Sequence, residues 1–142
     1  MNSSIRPTSE NPPDIVIDGG LYDRLLQLAS NGLARAPEAA NLLMQEIERA
    51  DLRAPEQIPP NVVTIGSRVT FEDKKSGVVR SVELVFPEDA DIQEGRISVL
   101  TPIGAALIGL TEGQSLHWTG RSGTPREVQV IGVHAGQASH PA

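Results

Sequence analysis

The chain has 142 residues, enough for one domain with a small appendage and too few for a large multidomain enzyme. Its 12 Lys and Arg against 18 Asp and Glu leave a net charge of −6, the wrong sign for holding a phosphate backbone, so strong direct nucleic-acid binding is not expected. The absence of cysteine removes disulfides, thiolate catalysis and thiolate metal sites, and suits a reducing, cytoplasmic location.

The first residues, 1–13, are polar and Pro-rich and lack the apolar run of a signal peptide, so they read as a flexible leader. No stretch approaches the roughly 20 apolar residues that cross a bilayer, and no membrane association is expected. Residues 14–54 have a helical period and predict a short antiparallel two-helix coiled coil. Asp18 is placed to cap a helix whose face carries Leu21, Leu25 and Leu28, and Asn31-Gly32 is a favourable left-handed end. A second helix is expected from Pro37, which needs no N–H partner in the first turn, to about Arg53, where Ala54-Pro55 stops it. Its stripe is Ala39, Leu42, Leu43, Ile47 and Ala50. About 17 residues at roughly 1.5 Å each make an arm near 25 Å long. Residues 55–61, with Pro55, Pro59 and Pro60, read as a linker.

Beyond Pro60 the period falls to two. Val62 to Ile65, Arg68 to Glu72 and Val78 to Phe86 are expected strands, the latter two joined through a turn at Asp73 to Gly77. Pro87 breaks the ladder, Glu88 to Gly95 is an acidic loop, and Arg96 to Leu100 is strand-like. Thr101-Pro102 caps a short helix, Ile103 to Ile108, and Ser115 to Thr119 and Arg126 to Val133 close an antiparallel sheet over residues 62–134. Residues 135–142 form a patternless tail. The fold class is α+β, a helical hairpin followed by a sheet domain with one short helix.

Signals for chemistry are few. His117, His134 and His140 have neither ligand spacing nor nearby carboxylates to orient them, so solvated surface histidines are expected rather than a metal site. Glu88, Asp89, Asp91 and Glu94 do not follow the calcium-loop pattern, since Gly95 comes too late, and read as a solvated acidic loop. Neither a G-x-S-x-G elbow nor a glycine-rich phosphate loop occurs. No catalytic residue, metal or cofactor is expected.

One stretch is familiar. Arg96-Ile97-Ser98-Val99-Leu100-Thr101-Pro102-Ile103-Gly104-Ala105-Ala106-Leu107-Ile108-Gly109, followed by Glu112-Gly113-Gln114, resembles the "IS…SP(L/I)xxALxGxxxGD" core of the bacterial Gre transcript-cleavage factors. Val63 to Val69 is similar to that family's "VxxGSxV" strand, and Asp89-Ala90-Asp91 resembles its acidic loop. Thr101 stands where a Gre serine is usual, and Gln114 where an aspartate is usual. Within the family Pro87, Ala105-Ala106 and His117-Trp118 are similar to elements of the Rnk type, regulators of nucleoside diphosphate kinase.

The resemblance implies an FKBP-like sheet domain and a partner, RNA polymerase, met at the rim of its secondary channel. It places the docking residues at Leu100, Thr101, Pro102 and Ile103, and the hairpin tip at Asn31, Arg35 and Glu38. Cleavage factors carry paired acids at the tip of a long hairpin to hold a second catalytic metal. Ser30 to Ala36 contains no acid, and Glu38 stands alone in the next first turn, where it suits the helix dipole. The expectation is a monomeric, non-enzymatic regulator that competes with Gre factors without stimulating cleavage. The rival is a peptidyl-prolyl isomerase or chaperone of the FKBP type, which would want an aromatic cradle that one Trp, one Tyr and two Phe supply poorly.

Overall fold

Asp18 does start the helical region, but through a short turn. Its carboxylate accepts the Gly20 N–H at 2.8 Å and caps a 3-10 turn, Gly19–Leu21, from which α1, Tyr22–Gly32, continues. Helix α2, Pro37–Glu48, begins on the expected proline. Only residues 33–36 separate the helices, so α2 folds back along α1. The structure, a computed structural model, describes residues 13–120 and 123–134. The expected leader, apart from Pro13, and the expected tail lie outside the described residues.

Three expectations for this half are corrected. Gly32 is not a left-handed cap: it stays in the helix, buried, and the next residue, Leu33, is right-handed at φ −56°. Its lack of a Cβ serves packing there instead, since a Cβ on Gly32 would lie 2.9 Å from Cδ2 of Leu100. The buried face of α1 is Leu25, Ala29 and Gly32, while Leu21 and Leu28 are half-buried. Helix α2 stops at Glu48 rather than Arg53, because Asp51–Arg53 forms strand β2, paired in parallel with β1, Val16–Asp18. Twelve helical residues at roughly 1.5 Å each shorten the arm to about 18 Å.

The second half is a five-stranded sheet in the order β5-β4-β3-β7-β6. Its strands are β3 Arg68–Asp73, β4 Val78–Val85, β5 Arg96–Ser98, β6 Ser115–Thr119 and β7 Pro125–His134, and helix α3, Pro102–Leu107, follows β5. The β3–β4 turn forms as expected, with the Asp73 carboxylate accepting the Lys75 N–H and Gly77 at φ 78°. Two expectations fail. The sheet is not wholly antiparallel, since β5 runs parallel to β4 once residues 86–95 have carried the chain back. Val62 to Ile65 is no strand. Val62 forms an isolated bridge with Thr111, and Val63 exchanges backbone hydrogen bonds with Leu110 and Gly109.

Helices and sheet share one core. Leu25, Ala29, Leu43 and Ile47 of the hairpin join Val69, Phe71, Leu84, Val128 and Val130 of the sheet in a single buried cluster, with Ala105, Ala106 and Leu107 of α3 among them. Residue Gly104 lets α3 sit close to β5, since a Cβ there would fall 2.2 Å from the Ser98 carbonyl oxygen. The segment before β1 ties the halves together: Ile15 and Ile17 are buried, Val16 N–H donates to Gly109 O, and Asp51 N–H donates to Ile15 O. Nearby, buried Glu46 pairs with Arg49, whose guanidinium also donates to the Pro13 carbonyl. The hairpin therefore lies on the sheet domain instead of projecting from it as an arm.

Candidate functional site

The turn from β5 into α3 is held by short side chains. Thr101 is extended at φ −127°, and its hydroxyl does two jobs: it accepts the Gly104 N–H at 3.1 Å as the helix cap and donates to Ser98 O at 2.7 Å. The Ser98 hydroxyl in turn accepts the Leu100 N–H at 2.9 Å. Proline is favoured at the first helical position, so Pro102 follows naturally. Leu100, Thr101, Pro102 and Ile103 are all half-buried, and both Leu100 and Ile103 pack against the core. This edge is hydrogen-bonded and packed on the core as well as partly accessible.

The hairpin tip divides the residues read as one group. Asn31 and Arg35 are exposed, as are Leu33 and Ala34 between them. Glu38 is half-buried instead, and its Oε2 accepts the Trp118 indole N–H at 3.1 Å. The Arg126 guanidinium lies over the ring, 5.0 Å from its centroid. Trp118 was not among the expected site residues. The available signal was that a partly buried indole N–H needs an acceptor, and this is the one tryptophan in the chain. Through the contact of Gly32 with Leu100, the structure sets the tip directly beside the β5–α3 edge.

The acidic loop is engaged by arginines and by its own turns. Arg24 stacks 3.7 Å over the Phe86 ring and pairs with Glu88, Asp91 caps a 3-10 turn by accepting the Gln93 N–H, and Arg96 lies 3.6 Å from Asp91. An open pocket of about 450 Å³ is lined there by Glu83, Glu88, Asp89, Asp91 and Arg96. Among the described residues no three His, Asp or Glu side chains are grouped to hold a metal ion. His117 is exposed, 3.5 Å from Glu127, His134 is exposed at the end of β7, and His140 lies outside the described residues. Among the described residues no helix is long and apolar enough to cross a membrane.

Comparison with known proteins places this arrangement. The family model "Transcription elongation factor, GreA/GreB, C-term" matches residues 58–135, more than half of the chain. The chain belongs to the GreA/GreB family. This GreA/GreB member is 34% identical over 119 residues to the regulator of nucleoside diphosphate kinase of Escherichia coli (strain K12), covering 84% of this chain and 88% of that protein. It is 38% identical over 91 residues to transcription elongation factor GreA of Syntrophobacter fumaroxidans, but this covers 64% of the chain and 56% of that GreA. A solved GreA/GreB structure from Nitrosomonas europaea superposes with a TM-score of 0.64 at 34% identity, over 86% of this chain and 98% of that one. The α+β fold is thus a GreA/GreB fold, and the chain is an Rnk-like member of the family. The isomerase alternative receives no support from these relatives.

Proposed function

We propose that this GreA/GreB-family chain is a non-catalytic regulator that binds RNA polymerase at the rim of the secondary channel, docks through the edge from Leu100 to Ile103, and competes there with Gre factors. It acts as a cytoplasmic monomer without a cofactor. In this reading the sheet is FKBP-like and the hairpin is a shortened coiled coil. A link to nucleoside diphosphate kinase is supported by the likeness to the E. coli regulator of that enzyme.

The observation that carries the non-catalytic reading is the tip. Stimulating cleavage needs carboxylates that hold a metal at about 2 Å from the ion, at the right place. Ser30 to Ala36 has none, and the nearest, Glu38, is engaged by the Trp118 indole. Helices of 11 and 12 residues that lie on the sheet do not extend like a long arm.

Two assays test this. Core polymerase is titrated with the protein against a labelled Gre factor, and displacement is expected; no displacement at saturating protein overturns the docking assignment. A stalled elongation complex with labelled RNA is then incubated, at concentrations shown to saturate binding of each protein, with wild type and with the Asn31→Asp, Arg35→Glu double variant. Neither is expected to stimulate cleavage, because a misplacement of about 1 Å already loses roughly a hundredfold in rate. Cleavage with wild type overturns the non-catalytic reading. Cleavage with the double variant alone shows that charge, not reach, silences the tip.

A further inference from the structure

The contact between Gly32 and Leu100 joins two surfaces that a projecting hairpin would keep apart. The last turn of α1 approaches the β5–α3 edge so closely that a Cβ at Gly32 would fall 2.9 Å from Cδ2 of Leu100 and displace that side chain. Beyond it the chain turns outward, and Leu33 is 42% exposed at the tip. Arg35 is exposed and, like Arg68 and Arg80 of the sheet, makes no ion pair among the described residues, whereas Arg24, Arg49, Arg53, Arg96 and Arg126 each have an acidic partner. The tip thus offers one apolar side chain and one unengaged cation on a chain whose net charge is −6.

We infer that the hairpin tip and the β5–α3 edge form one continuous docking surface, in which Leu33 and Arg35 add an apolar anchor and a cation to Leu100, Thr101 and Ile103, and meet a single patch of RNA polymerase. This rests on the polymerase reading above and changes what the hairpin does: the tip covers the same ground as the edge instead of reaching past it. The partner patch is one that presents an apolar socket flanked by carboxylates, the chemistry that complements Leu33 and Arg35. The Glu38–Trp118 hydrogen bond and the Gly32–Leu100 contact are what hold the tip in that plane.

The natural absence of cysteine makes the test direct. Single cysteines are introduced as Ala34→Cys at the tip, Pro102→Cys at the edge and, as a control, Lys75→Cys in the exposed β3–β4 turn. Each full-length variant, checked for unchanged helicity, is labelled with a maleimide benzophenone, irradiated with core RNA polymerase, and the crosslinked peptides are mapped. The expected result is that the tip and edge probes crosslink to the same polymerase segment, the control does not, and Leu33→Asp or Arg35→Glu weakens binding about tenfold. Tip crosslinks in a polymerase segment remote from those of the edge overturn the continuous surface while leaving the polymerase reading intact. Unchanged affinity in both tip variants overturns it equally. Failure of every variant and of wild type to bind polymerase overturns the polymerase reading itself, and this inference with it.

Discussion

A single hydroxyl shows how much rests on individual residues here. Thr101 Oγ caps α3 and also donates to the Ser98 carbonyl, so Thr101→Ala is expected to cost about 1 to 2 kcal/mol, while Thr101→Ser keeps both bonds and most of the stability. Chemical denaturation midpoints of the two variants check this. Gly104 is less forgiving: a methyl there meets a backbone oxygen at 2.2 Å, which cannot rotate away as a side chain can. Gly104→Ala is therefore expected to destabilise by roughly 3 kcal/mol or more, by the overpacking mechanism. A shift in the unfolding midpoint no larger than that of a surface substitution would refute the close approach of α3 to β5. The Thr-Pro cap was legible in the sequence because it is local, a side chain and the N–H three residues on. The Glu38–Trp118 bond joins residues 80 apart, and no local pattern announces it.

Among the elements, α1 is the informative case. A 3.6 period was plain in Leu21, Leu25 and Leu28, but the buried face is Leu25, Ala29 and Gly32. The phase moved because α1 does not pack against its partner helix alone; its C-terminal turn also meets Leu100, which selects small residues at its end. Leu25 is fully buried, so Leu25→Ala is expected to cost about 2 to 5 kcal/mol, and Leu28→Ala, half-buried, clearly less. Equal losses in thermal or denaturant unfolding would mean that the packing face is misplaced. Strands β1 and β2 escaped notice because three residues each carry too little periodicity to stand out from a helix end. Ile15 and Ile17 alternate as a strand should, yet only the partner segment from Asp51 to Arg53 makes a strand of Val16–Asp18.

For the molecule as a whole, the shared core predicts one cooperative transition. Far-UV ellipticity reports mainly the helices, and the fluorescence of Trp118, on β6 and bonded to Glu38 of α2, reports the sheet and its contact with the hairpin; the two denaturation curves are expected to coincide. Ile17→Ala, at the strap between hairpin and sheet, should shift both curves together, by about 2 to 5 kcal/mol. Two separated transitions would show that the hairpin is an independent unit. The ion pair of Arg24 with Glu88 links the same halves but is exposed on both sides, and salt should change the transition little.

By itself the sequence determined the α+β class, the β3–β4 hairpin, the cap of α3, the acid-free tip and the family resemblance, all of which depend on residues within a few positions of one another or on a contiguous motif. Tertiary structure decided the parallel pairings of β1 with β2 and β4 with β5, the burial phase of α1, the engagement of Glu38 by Trp118 and the meeting of the tip with the β5–α3 edge. Each of those depends on which distant segment is brought alongside. That choice is made by burying one common apolar core, a non-directional force that marks a short stretch as apolar on one face but not with the distant segment it will pack against.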